Sequence, residues 1–184
     1  MSELKIAQNI PVPTVTLTKL LEKYNLPIRC EIYNPNPKMR RKNLNGIPIG
    51  KDRRDCSTRA ICKLIDRPYF DVYDEQYKIA KKYAVKTNFM GVTLEILKKY
   101  GYEYCRAPKP ISILEFLLNY PKGKFILVMK GHIVTAIDGC IYDNFDEERI
   151  EFDFAALLGT RLMGWIYKKG EENNEQEVST ASRD

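Results

Sequence analysis

The dipeptide Asp138-Gly139 stands between two short apolar runs, His132 to Asp138 and Cys140 to Phe145. An Asp-Gly pair in that setting specifies a two-residue β-turn, since both central positions need a positive φ that Asp and Gly tolerate. The turn dictates a register: Ile137 opposite Cys140, Ala136 opposite Ile141, Thr135 opposite Tyr142 and Val134 opposite Asp143. Side chains alternate along a strand, so His132, Val134 and Ala136 share a face with Ile141, Asp143 and Phe145. His132 and Asp143 become diagonal neighbours on one surface, whereas Asn144 points the other way. A slip of one residue would reverse that assignment.

Before this hairpin the pattern is helical. Asp55 suits the N-cap of a helix from Cys56 to Ile65 with Ala60 and Leu64 inward. Pro68 suits the start of a second, from Tyr69 to Tyr83, with Val72, Ile79, Ala80 and Tyr83 on one face. A third runs from Val92 to Tyr100 and stops at Gly101. Tyr102 to Arg106 reads as extended. Ser112 and Glu115 make a capping box for a fourth helix through Leu118, ended by Pro121. Lys124 to Lys130 is a buried-type strand, Phe154 to Leu158 a short helix, and Arg161 to Lys168 a last strand. Helices first and antiparallel strands second is an α+β order, with the helices expected to pack on a C-terminal antiparallel sheet.

The flanks differ from this core. Residues 1–54 read as an arm, with a short helix over Thr16 to Tyr24 and then Pro27, Pro35, Pro37 and Pro48 breaking any longer period. Its basic loop carries Lys38, Arg40, Arg41, Lys42, Lys51, Arg53 and Arg54 against Asp52 alone. Such a loop can face an acidic partner or nucleic acid, although no aromatic platform interleaves the charges. The tail, 170–184, is acidic, lacks aromatics and is expected to be disordered. Residues 55–169 form the folded domain.

The longest aliphatic run, Phe125 to Met129, is far short of the about 20 apolar residues that a membrane helix needs. Met1 to Leu20 has no secretory pattern. The five cysteines are odd in number and form no C-x-x-C pair, and there is one histidine. Free thiols in a reducing compartment are therefore expected, with no metal, no other cofactor and a cytoplasmic location.

Cysteine chemistry needs a thiolate, and the start of a helix favours one through its dipole and unpaired N–H groups. Cys56 occupies such a start. Its proton needs a base, which can only be His132, and the imidazole needs an orienting group, for which Asp143 is diagonally placed. Cys62 and Cys140 fit structural roles, and the stripe Tyr69, Tyr73, Tyr77 fits packing.

The stretches DCSTRAICKLIDRPYFDVYDEQY, GVTLEILKKYGYEY and GHIVTAIDGCIYDNFD resemble the compact papain-like cysteine peptidase fold. The style is that of small bacteriocin-processing and phage-encoded peptidases, and the likeness spans Asp55 to Asp146. The resemblance implies Cys56 as nucleophile, His132 as base and Asp143 as orienting acid. It implies a protease or related amide, isopeptide or acyl-transfer activity on a protein or peptide, within the host cytoplasm if phage-encoded. The family's oxyanion glutamine, about six residues before the cysteine, is replaced by Gly50; the Cys56 N–H with Asn45 or Asn43 would have to serve. Two other readings compete. One is a papain-like fold kept as a non-enzymatic interaction or virion-associated module. The other is a nucleic-acid binder acting through the basic arm.

Overall fold

The computed structural model describes residues 19, 21–23, 25–35, 55–145, 147, 148 and 150–170. Their elements run β1 (Arg29–Ile32), α1 (Cys56–Ile65), α2 (Tyr69–Lys82), α3 (Met90–Lys98), β2 (Tyr102–Arg106), α4 (Ile113–Asn119), β3 (Lys124–Met129), β4 (His132–Ile137), β5 (Cys140–Asp143), α5 (Ile150–Leu158) and β6 (Gly164–Lys168). This is an α+β fold. The basic loop from Lys38 to Arg54, with Asn43 and Asn45, and the acidic tail beyond Gly170 lie outside the described residues. Of the helix expected over Thr16 to Tyr24, residues 19 and 21–23 are helical, and Leu21 is buried.

The six strands form one sheet in the order β1-β5-β4-β3-β6-β2. β4 and β5 pair with Ile137 opposite Cys140, Ala136 opposite Ile141 and Thr135 opposite Tyr142, the register that a two-residue turn demands. Asp138 and Gly139 sit at φ of 48° and 76°. The Asp138 carboxylate accepts the Gly123 N–H at 2.9 Å, which ties the turn to the strand before it.

The sheet differs from expectation in being mixed. β1 lies within the segment read as an arm, yet it pairs parallel with β5. A four-residue strand between Pro27 and Pro35 is too short to show alternation. A parallel partner far along the chain leaves no local turn signal either. Boundaries also shift: α3 starts at Met90, α5 starts at Ile150, and β5 ends at Asp143 with Phe145 buried just beyond it.

Helices cover both faces of the sheet. Ile61, Leu64, Val72, Ile96 and Leu97 of α1, α2 and α3 pack with Ile126, Val128, Ile133 and Ile166. On the other face Ile113, Phe116 and Leu158 of α4 and α5 pack with Leu127, Val134, Ala136 and Ile141. Burial on both faces explains why β3 reads as an unbroken apolar run. Ser112 caps α4 by accepting the Glu115 N–H at 3.1 Å, as its sequence signature implies. None of the helices among the described residues is long and apolar enough to cross a membrane.

One contact holds α1 in register over the sheet. Thr135, fully buried on β4, donates its hydroxyl to the Ala60 carbonyl at 2.9 Å. The N-terminus of α1, the start of β4 and the end of β5 consequently meet at one end of the sheet.

The turn that sets this arrangement is intolerant of a side chain. A Cβ on Gly139 would lie 2.5 Å from the Pro27 carbonyl oxygen, at a φ that L-residues avoid. Gly139→Ala is expected to lower stability by about 1–3 kcal/mol in urea unfolding, the range for such backbone strain. Asp138→Asn, which keeps the turn chemistry, should cost much less.

Candidate active site

Cys56 is the first residue of α1 and is half-buried. Asp55 occupies the N-cap position, but its carboxylate makes no capping bond to the helix backbone. It turns instead to Arg59, whose Nη1 donates to Oδ1 at 2.8 Å, and to Tyr69, whose hydroxyl donates to Oδ2 at 3.1 Å. The expected side-chain cap is thus absent, because an i,i+4 cation and a buried phenol compete for the same oxygens. The positive end of the helix dipole is left directed at the thiol's surroundings.

His132 opens β4 and lies between Cys56 and Asp143. Its Nε2 is 2.6 Å from Asp143 Oδ2. The Cys56 thiol lies near enough to the ring for each group to favour the other's charged form. With Nε2 engaged by the acid, the nitrogen left for sulfur is Nδ1. The imidazole is about one-third exposed and the Asp143 side chain 15%, so a substrate can reach the histidine while the acid stays sheltered.

The electrostatics agree with this geometry. Burial opposes a charged imidazole, yet Asp143 and Cys56 together outweigh it and push His132 up to about 9. Burial likewise opposes the thiolate. His132, the Ile133 backbone N–H and Arg59 nevertheless hold Cys56 below the ordinary thiol value. Asp143 is kept below its usual range against burial, by His132 first, then Arg59 and the Asn144 N–H. The other buried thiols go the opposite way. Burial pushes Cys30 up to about 11 and Cys62 up to about 12, and Cys140 is raised too.

Two residues the sequence reading did not single out complete the surroundings. Arg59, 8% exposed, bridges Asp55 and Asp143, its Nη2 donating to Asp143 Oδ1 at 3.1 Å. The i,i+4 spacing of Asp55 and Arg59 was a legible sign of half this bridge; the bond to Asp143 had none. Gln76, fully buried, accepts from Thr58 Oγ1 at 2.6 Å and donates to Ser57 Oγ at 3.3 Å. So engaged, its amide ties the start of α1 to α2.

The structure therefore brings Cys56, His132 and Asp143 together, while Asn45 lies outside the described residues. Asn144 is exposed and contributes its backbone N–H to Asp143 Oδ1 at 2.8 Å. Among the tyrosines, Tyr69 is buried and stacks on Tyr73, but Tyr73 and Tyr77 also line a cavity, so the stripe is only partly packing. No group of three His, Cys, Asp or Glu side chains suited to a metal occurs among the described residues. Comparison with protein-family models, curated proteins and solved structures finds no match for the chain.

These opposed shifts make a chemical prediction. Limiting iodoacetamide at pH 6 should modify Cys56 ahead of the other four cysteines, because alkylation follows the thiolate fraction. His132→Ala should slow that reaction. Peptide mapping after partial labelling reads both outcomes; equal modification of every exposed thiol, indifferent to His132, would contradict the site.

Proposed function

We propose that the protein is a papain-like cysteine hydrolase, most simply a protease, acting on a peptide or isopeptide carbonyl. One observation carries the reading: the chain's only histidine bonds the sheltered carboxylate of Asp143 and stands near the helix-start thiol of Cys56, each of the two favouring the other's charged form. An activated thiol, a charged imidazole and an orienting acid are the set needed for acyl transfer.

In this reading the Cys56 thiolate attacks the carbonyl carbon, and the carbonyl electron pair moves to oxygen. The N–H of Cys56, at the positive end of α1, is suited to receive that oxyanion. The imidazolium of His132 passes its proton to the leaving nitrogen as the carbon–nitrogen bond breaks, leaving a thioester on Cys56. Neutral His132 then takes a proton from water, whose oxygen attacks the thioester and releases a carboxylic acid. Thiolate and imidazolium are restored. Asp143 holds the ring oriented and stabilises its charged form, and Arg59 holds Asp143.

The test is cleavage of a complex peptide mixture followed by mass spectrometry. Wild-type protein should generate new termini, and Cys56→Ala should generate none. Asp143→Ala should depress kcat by at least about a hundredfold, in line with the worth of the orienting acid in such triads. Asn144→Ala should be mild, because its contribution comes from the backbone. Cleavage that survives in Cys56→Ala would refute the assignment.

A further inference from the structure

At the N-terminal end of α1, which carries Cys56, the surface opens into a cavity of about 590 Å³. Asp55, the N-cap residue, and Thr58 of α1 form one wall. Tyr73, Tyr77 and Lys81 of α2 form another, and the segment after α2 closes it with Lys86. Gln76 fixes these walls relative to one another, since the bonds that hold Thr58 and Ser57 are joined by a third, at 3.5 Å, to the Thr87 carbonyl. The hollow is thus formed in advance of any ligand, which lowers the entropic cost of filling it.

Its charge is one-sided. Among the described residues Asp55 is the sole carboxylate on the lining, and it is committed to Arg59 and Tyr69. Lys81 and Lys86 are exposed and make no ion pair among the described residues. The Tyr73 and Tyr77 rings offer apolar surface between these cations.

We infer that this cavity is the specificity pocket of the enzyme and receives an acidic side chain of the peptide substrate, glutamate or aspartate, close to the scissile bond. The inference rests on the hydrolase reading, because only an acyl carbon delivered to Cys56 makes the neighbouring hollow a substrate subsite. A peptide fits better than a nucleic acid for the same reason. A phosphodiester offers the thiolate no acyl carbon, and a compact hollow with two lysines is not the long cationic track that a strand requires.

Electrophilic peptides separate the possibilities. Short peptidyl vinyl sulfones carrying Glu, Gln or Lys at successive positions would be compared by their rate of attachment to Cys56, with iodoacetamide as a control that needs no recognition. At one position the Glu probe should react about fivefold faster than its Gln counterpart, as two partly exposed charge pairs allow. That ratio should fall towards one in the Lys81→Gln/Lys86→Gln variant and invert in favour of the Lys probe in Lys81→Glu/Lys86→Glu. Selective iodoacetamide labelling of Cys56 without any Glu preference, or a preference that survives both variants, would overturn the inference and leave the hydrolase reading standing. Unselective iodoacetamide labelling would bring down both. An oligothymidylate that shields Cys56 from the Glu probe, where an acidic peptide of equal charge does not, would also overturn it in favour of nucleic acid.

Discussion

Arg59 is the contact on which the site depends. It rises from α1 one turn after Cys56 and spans two carboxylates that belong to different parts of the fold, Asp55 at the helix start and Asp143 at the end of β5. A buried guanidinium suits this task because its planar fork serves two acceptors at once and keeps its charge. Desolvating three ions is expensive, so the triad is weak evidence of net stability. Removing its central member would leave two sheltered carboxylates facing each other. Its value is positional: the bridge sets Asp143 against the helix that carries the nucleophile.

The chemistry follows from that placement. Burial is the largest cause driving the thiols of Cys30, Cys62 and Cys140 up, with nearby groups such as Glu31 beside Cys30 and Cys140 adding to it. Cys56 escapes because a charged ring, a backbone N–H and a guanidinium all favour its thiolate. The ring stays charged because Asp143 stays ionised, and Asp143 stays ionised because His132 and Arg59 both face it. Each group is shifted by the next, so helix start, β4 and β5 act as one electrostatic unit.

Much of this was legible in the residue order, and the exceptions have physical causes. Asp138-Gly139 determined the hairpin register because a two-residue turn admits only one, and from that register Asp143 rather than Asn144 followed as the partner of His132. Helix positions followed from apolar spacing: α1 begins at Cys56 as expected even though Asp55 makes no side-chain cap, while α3 and α5 begin earlier than expected, at Met90 and Ile150. β1 was not legible: four residues between prolines show no period, and a parallel partner leaves no turn. Nor was the Arg59–Asp143 bond, a contact between residues 84 apart in sequence. The cavity wall at Tyr73 and Tyr77 escaped for a related reason, since helical spacing alone cannot tell a packed tyrosine from one that borders a hollow.

The chain carries a single histidine, so its imidazole can be followed by NMR without ambiguity. Titration of the His132 ring carbons and nitrogens tests the coupled site directly. The ring should remain protonated through neutral pH and titrate near 9 rather than near its ordinary 6.5. The midpoint should fall in Cys56→Ala and in Asp143→Asn, because each substitution removes a partner that favours the charged form. A midpoint close to 6.5 that neither substitution moves would mean that Cys56, His132 and Asp143 do not act as one unit, and the catalytic account would fail.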